Sequence, residues 1–206
     1  IWEGPVFAGF RAAHGYIDFS ASSQEEVLNE LWEVKVHAAA GPEEGFFIFD
    51  VLSLQNCASD ALLELPEYHY GGMAFRGARN WTPEAMEVLT SEGLDREGGD
   101  GSRADWCLIS GELDGGKGGL LLMSHPGNFR APQPLRVHPG MPYFTFAPQS
   151  LGDMEIEPGR PYLSRYRVVV FNDEWTLDRI QALWDDYANP PRIKIVKGGN
   201  LSTGGQ

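Results

Sequence analysis

The sequence is poor in several things, and each shortage removes a class of function. Of 206 residues only Cys57 and Cys107 are cysteine, with no CxxC pair and no Cys/His spacing of a structural zinc site. They can form one disulfide or stand as two buried thiols, and the habit of free cysteine as a small core residue favours the thiols. Basic residues are scarce, 16 Lys and Arg against 29 Asp and Glu, giving a net charge of −13. That balance argues against nucleic acid and anionic membrane surfaces, which call for basic faces. Long apolar runs are missing too. The longest, such as Phe46–Phe49 and Leu120–Met123, fall far below the roughly 20 residues of a membrane-spanning helix. No initiating Met and no basic-then-apolar start is present, so no signal peptide is expected, and Ile1-Trp2-Glu3-Gly4-Pro5 reads like the interior of a longer or processed chain. GxSxG, HExxH and GxGxxG are all absent, so serine hydrolases, zinc proteases and dinucleotide enzymes lose ground.

What is present suits a packed β protein. The chain is 42% hydrophobic and 12% aromatic, enough for a core and incompatible with wholesale disorder. Its 25 Gly and 14 Pro punctuate short apolar runs, the pattern of many turns between strands. In residues 31–38, Trp32, Val34, Val36 and Ala38 alternate with Glu33, Lys35 and His37, the period of two of a half-buried strand. Residues 45–54, 62–76, 106–113, 119–124, 143–147 and 163–171 predict further strands from their aromatic and β-branched content. One helix is predicted from Thr176, a cap residue, to Tyr187, with Leu177, Ile180, Leu183, Trp184 and Tyr187 on its apolar face and Asn189-Pro190-Pro191 closing it. A short helical turn is conceivable over 24–29. The fold class is therefore all-β, an antiparallel β-sandwich with one C-terminal α-helix, as a single domain over 1–197 followed by a frayed Gly/Ser/Thr tail over 198–206.

Several motifs have bland readings. Gly111 to Gly118 approaches a phosphate-binding loop, but position 118 lacks a hydroxyl and strand follows instead of helix, so a hairpin turning at Asp114-Gly115 is expected. The acidic, Gly-rich stretch 95–105 lacks the ligand positions of a calcium loop and reads as solvated connection. Asn200-Leu201-Ser202 fits a glycosylation sequon of little weight.

Two stretches carry chemistry. In Glu67-Tyr68-His69-Tyr70-Gly71-Gly72-Met73-Ala74-Phe75-Arg76, a strand would place Glu67 and His69 on one face, a carboxylate–imidazole pair suited to acid/base work. The alternative is a solvated face with the tyrosines packed inward. From His125 to Pro139, prolines 126, 132, 134 and 139 stiffen a loop carrying His125, Asn128, Arg130, Arg136 and His138. Stiffness lowers the entropy lost on binding. Arg130 and Arg136 could hold a carboxylate, and Asn128 could serve sugar hydroxyls. A structural loop whose Asn and Arg satisfy backbone carbonyls is the equal alternative. His125 and His138 lack a third ligand at diagnostic spacing, so no metal is assigned.

The ordered series Tyr68–Arg76, Trp106, His125-Pro126-x-Asn128 with Pro132 and Pro134, Arg165-Tyr166-Arg167, and Trp184 with Tyr187 before Pro190 resembles the bacterial PmoA-like family, labelled "methane oxygenase PmoA", over roughly residues 1–192. A genuine methane monooxygenase subunit is membrane-embedded, so methane oxidation is not expected here. The resemblance implies a sandwich like that of galactose mutarotases, a part in bacterial carbohydrate breakdown, and an N-terminal, strand-rich segment of the family that this chain lacks. The leading expectation is a carbohydrate-active protein with Glu67, His69 and Arg76 as catalytic candidates. His125, Asn128, Arg130, Arg136 and His138 would bind a small-molecule or oligosaccharide ligand. No cofactor is implied, the oligomeric state is open, and a sugar-degrading role leans extracytoplasmic. The rival expectations are a non-catalytic sugar-binding sandwich and a structural interaction domain.

Overall fold

The structure, a computed structural model, describes residues 1–20, 23–38 and 45–194. The predicted tail 198–206, its sequon and the last three residues of the expected domain lie outside these. Seven strands form one antiparallel sheet: β1 (Phe7–Asp18), β2 (Glu25–His37), β3 (Phe46–Cys57), β6 (Met86–Thr90), β8 (Trp106–Leu113), β9 (Gly116–Ser124) and β13 (Tyr162–Asn172). Their spatial order is β1-β2-β3-β13-β9-β8-β6. A smaller antiparallel sheet contains β5 (Met73–Arg76), β11 (Tyr143–Phe146), β10 (Gln133–Val137) and β7 (Arg103–Ala104), in that order, and β4 (Leu63–Leu65) pairs with β12 (Met154–Ile156).

Residue parity decides which layer each side chain joins. On one face of the large sheet Cys107, Ile109, Leu120, Leu122, Tyr166 and Val168 pack against Leu135, Val137, Phe144 and Phe146 of the small sheet. On the other face Trp106, Leu108, Leu121, Met123, Val169 and Phe171 pack under helix α2 (Leu177–Ala188) through Ile180, Trp184 and Tyr187. Central strands covered on both sides must be apolar at successive positions, which is why β9 reads Leu120-Leu121-Leu122-Met123 without alternation. The all-β sandwich with a C-terminal helix thus matches the expected class. Thr176 caps α2 by accepting from the Arg179 N–H at 3.4 Å, although Leu177, placed on the apolar face by spacing, is 58% exposed.

Asp114 (φ 50°) and Gly115 (φ 85°) form the tight β8–β9 turn. Two successive positive φ values match the twist of the flanking strands, so the phosphate-loop resemblance dissolves into a hairpin. Cys57 and Cys107 are both free thiols.

Four expectations need correction. Residues 62–76 are two short strands separated by an irregular 66–72 segment, because Pro66 cannot donate to a ladder and Gly71 (φ 110°) and Gly72 (φ 79°) adopt left-handed backbone. Residues 25–29 open β2, so 24–29 is not a helical turn. Within 125–139, residues 133–137 are the buried strand β10. The 95–105 stretch contains a one-turn helix α1 (Arg96–Gly99), whose N-terminal N–H groups at Glu97 and Gly98 donate to Asp95. Strands β1, β6 and β12 lacked a recognised alternation.

Candidate functional site

The structure disperses the residues singled out in the sequence. Asn128 is buried and bonds to its own scaffold: its Oδ1 accepts from Arg165 N–H at 2.8 Å, and its Nδ2 donates to Arg165 C=O at 2.8 Å and to Ser124 Oγ at 3.1 Å. Ser124 and Tyr166 then share the buried Gln133 Oε1. Arg130 donates to the carbonyls of Pro148, Gly152 and Asp153. The carbonyl-satisfying reading of this loop therefore describes both residues. His138 accepts the Gly140 and Met141 N–H groups on Nδ1, shaping the β10–β11 turn. His125 accepts the Gly127 N–H and meets Tyr187 edge-on. Burial, and then the neighbouring Arg165 charge, lower its pKa, which favours the neutral ring.

Glu67 and His69 do not share a strand face. Both are exposed on the irregular segment before β5. His69 stacks with Tyr70 at 4.4 Å, Tyr70 meets Tyr143 at 5.8 Å, and the guanidinium of Arg76 lies 5.3 Å from the Tyr143 ring. Arg136 sits 5.7 Å from Tyr70 while ion-paired to Asp100 at 2.5 Å. The outer face of the small sheet thus gathers His69, Arg76 and Arg136 but leaves His125, Asn128 and Arg130 elsewhere.

A different set of residues lines a concave cavity of about 450 Å³, in the range of small-molecule sites. Its floor is the part of the large sheet that the small sheet leaves uncovered. Strand register aligns His14, Glu30, Gln55 and Tyr162 in one row across β1, β2, β3 and β13, and Trp32, Ser53 and Ser164 in the next. Leu65, Met154, the Gly72–Ala74 edge of β5, Pro148 and Gln149 close the opposite wall.

Glu30, only 6% exposed, is the centre of this cavity. Tyr16 OH donates to its Oε2 at 2.6 Å, while Ser53 Oγ and Gln55 Nε2 donate to Oε1. His14 Nδ1 stands 3.9 Å from Oε2, and the His14 ring packs edge-on against Trp32. Burial pushes the Glu30 pKa up, but the donors from Ser53, Tyr16 and Gln55, with the nearby Trp32 indole, outweigh it and the net shift is downward. Burial, together with donation to Glu30, pushes Tyr16 up to about 12. At neutral pH the pair is therefore carboxylate plus phenol, a fixed acceptor with a fixed donor.

This arrangement can still bond a guest. A carboxylate has about four acceptor positions, and three are taken by side chains. On the walls, Trp32 Nε1 and Tyr162 OH are buried donors with no partner among the described residues. A ligand hydroxyl can donate to the remaining acceptor position of Glu30. Glu30 is also the sole carboxylate among the described lining residues, so the cavity lacks the facing carboxyl pair that two-carboxylate glycoside hydrolysis uses. No cluster of three or more metal-ligating side chains occurs among the described residues, and no described helix is long and apolar enough to cross a membrane.

Sequence reading missed this site for a specific reason. Beginning β2 at residue 31 hid that Glu30 falls in the inward row with Leu28, Trp32 and Val34. A carboxylate interrupting an apolar row is the signal that extending the alternation by two residues would have exposed.

No curated protein and no solved structure matches the chain. Residues 2–185, nearly its whole length, match the family of unknown function DUF6807, and the chain belongs to that family.

Proposed function

We propose that this protein binds carbohydrate in the concave cavity, with Glu30 accepting a hydrogen bond from a ligand hydroxyl. The observation that carries the reading is a buried, ionised carboxylate with one acceptor position left open, surrounded by aromatic walls. Polyols match that set because each hydroxyl both donates and accepts. Trp32, Tyr16 and Tyr162 offer apolar ring faces for the C–H side of a sugar. The site charge disfavours an anionic sugar here, since a second carboxylate beside Glu30 would be repelled. The resemblance to PmoA-like proteins, with its implied sugar chemistry, supports the same ligand class. With one carboxylate in the cavity, a binding role is favoured over two-carboxylate hydrolysis.

A thermal-stability screen with neutral mono- and oligosaccharides tests this. A sugar at about 100 times its dissociation constant should stabilise the chain by about 2.7 kcal/mol. Glu30→Gln, nearly isosteric, should weaken that sugar by at least about tenfold, and Tyr16→Phe should weaken it less. A stabilising sugar whose effect survives Glu30→Gln, or no stabilising sugar in the panel, overturns the reading.

A further inference from the structure

The segment 66–71 runs between two cavity-wall residues, Leu65 and Gly72, and carries exposed aromatic rings on a rigid mount. Glu67 N–H donates to Asp153 Oδ1 at 2.7 Å, Tyr68 N–H to Gln149 C=O at 3.3 Å, and Thr145 Oγ1 to Gly71 C=O at 2.9 Å. Gly72 cannot be replaced without moving this mount, because a Cβ there would lie 2.1 Å from the Phe146 carbonyl oxygen.

On that mount Tyr68, His69 and Tyr70 form a run of rings with centroids 4.7 and 4.4 Å apart, continued by Tyr143 at 5.8 Å. Tyr68 is 54% exposed and His69 is exposed as well. Two guanidinium groups border the run. Arg136 is already neutralised by Asp100. Arg76 lies over the Tyr143 face and donates to Met141 Sδ, and has no carboxylate partner among the described residues. Beside His69 and Arg136 lies a hollow of about 410 Å³. Exposed rings gain little for folding and are well suited to stacking a flat, partly apolar guest. An unpaired guanidinium next to them is suited to a planar carboxylate, which it can grip with two parallel hydrogen bonds.

We propose that Tyr68, His69, Tyr70, Tyr143 and Arg76 form a second binding site, distinct from the cavity, for a uronate-bearing oligosaccharide. Pyranose faces stack on Tyr68 and Tyr70, and the uronate carboxylate pairs with Arg76. The net charge of −13 opposes the approach of an anion, so affinity arises from contact rather than long-range steering. Its salt dependence is accordingly shallow.

Calorimetric titration of the intact chain with a short oligogalacturonate, a neutral oligosaccharide of equal length and a sulfated one tests the proposal. Wild-type chain should bind the oligogalacturonate best. Arg76→Gln should weaken it on the order of tenfold, and Tyr68→Ala should weaken it as well. Both residues are exposed, so melting temperatures should hold and separate lost binding from lost fold. Neither Arg76 nor Tyr68 is among the described residues lining the cavity, so losses in these two variants report on this site independently of the cavity reading. Absence of oligogalacturonate binding, equal affinity in Arg76→Gln, or preference for the sulfated chain overturns it.

Discussion

Replacing Asn128 by Ala separates a structural role from a ligand-binding one. Its side chain makes three hydrogen bonds, two of them to the N–H and C=O of Arg165 at 2.8 Å each, and the residue is 6% exposed. Each such bond contributes about 0.5–1.5 kcal/mol net, and a buried group left unpaired costs about 1–3 kcal/mol. Partial relaxation and water entry limit the sum, so a loss of about 2–4 kcal/mol is expected. For a chain of this size each kcal/mol lowers the melting temperature by about 2–4 °C, which gives a drop of about 4–16 °C. Asn128→Asp retains the acceptor for Arg165 N–H but loses both amide donors and sets a carboxylate against a carbonyl, so it should rescue little. Calorimetry or circular dichroism of the three proteins reads the effect. A melting temperature within about 1 °C of wild type, with ligand binding lost, would refute the structural role and restore Asn128 to a binding role.

Acid sensitivity should trace in part to Asp50. Burial alone would raise its pKa, but bonds from His37 and a two-pronged contact from Arg167 hold it down to about 2. Because the folded value lies below the unfolded one, the stabilisation is present above about pH 4 and disappears as pH falls towards 2. It amounts to about 2 kcal/mol, and Asp50→Asn should flatten the urea-midpoint difference between pH 6 and pH 3; an unaltered difference contradicts the assignment. Cys107 is fully buried and burial pushes its thiol pKa up, so a thiol reagent should modify it only on unfolding, while the partly exposed Cys57 reacts first. Equal native reactivity of the two thiols, resolved by peptide mapping, would contradict that burial.

Much of the fold is written locally. The Trp32-Val34 alternation, the unbroken apolar run of β9, the Asp114-Gly115 turn and the Thr176 cap with Ile180, Trp184 and Tyr187 each act through neighbours within a few residues. Chain order alone therefore determines them: a period of two turns side chains to opposite faces, and a period near 3.6 keeps them on one. The candidate sites follow different physics. Glu30 finds Tyr16, Ser53 and Gln55 only through the register of two strand pairings, and a slip of one residue would turn those side chains away. Asn128 and Arg130 carry the chemistry of ligand-binding groups, yet Arg165 and the carbonyls of Pro148, Gly152 and Asp153 consume their hydrogen bonds. Arg76 is left with a free guanidinium face because Tyr143, its partner in the ladder, presents a ring rather than a carboxylate. The sequence by itself determined the β2 alternation, the β9 run, the turn and the helix, but not strands β1, β6 and β12 or the break at 66–72. Which polar groups remain available to a ligand was decided only by tertiary pairing, because a hydrogen-bonding group is functional or structural according to what folding places beside it.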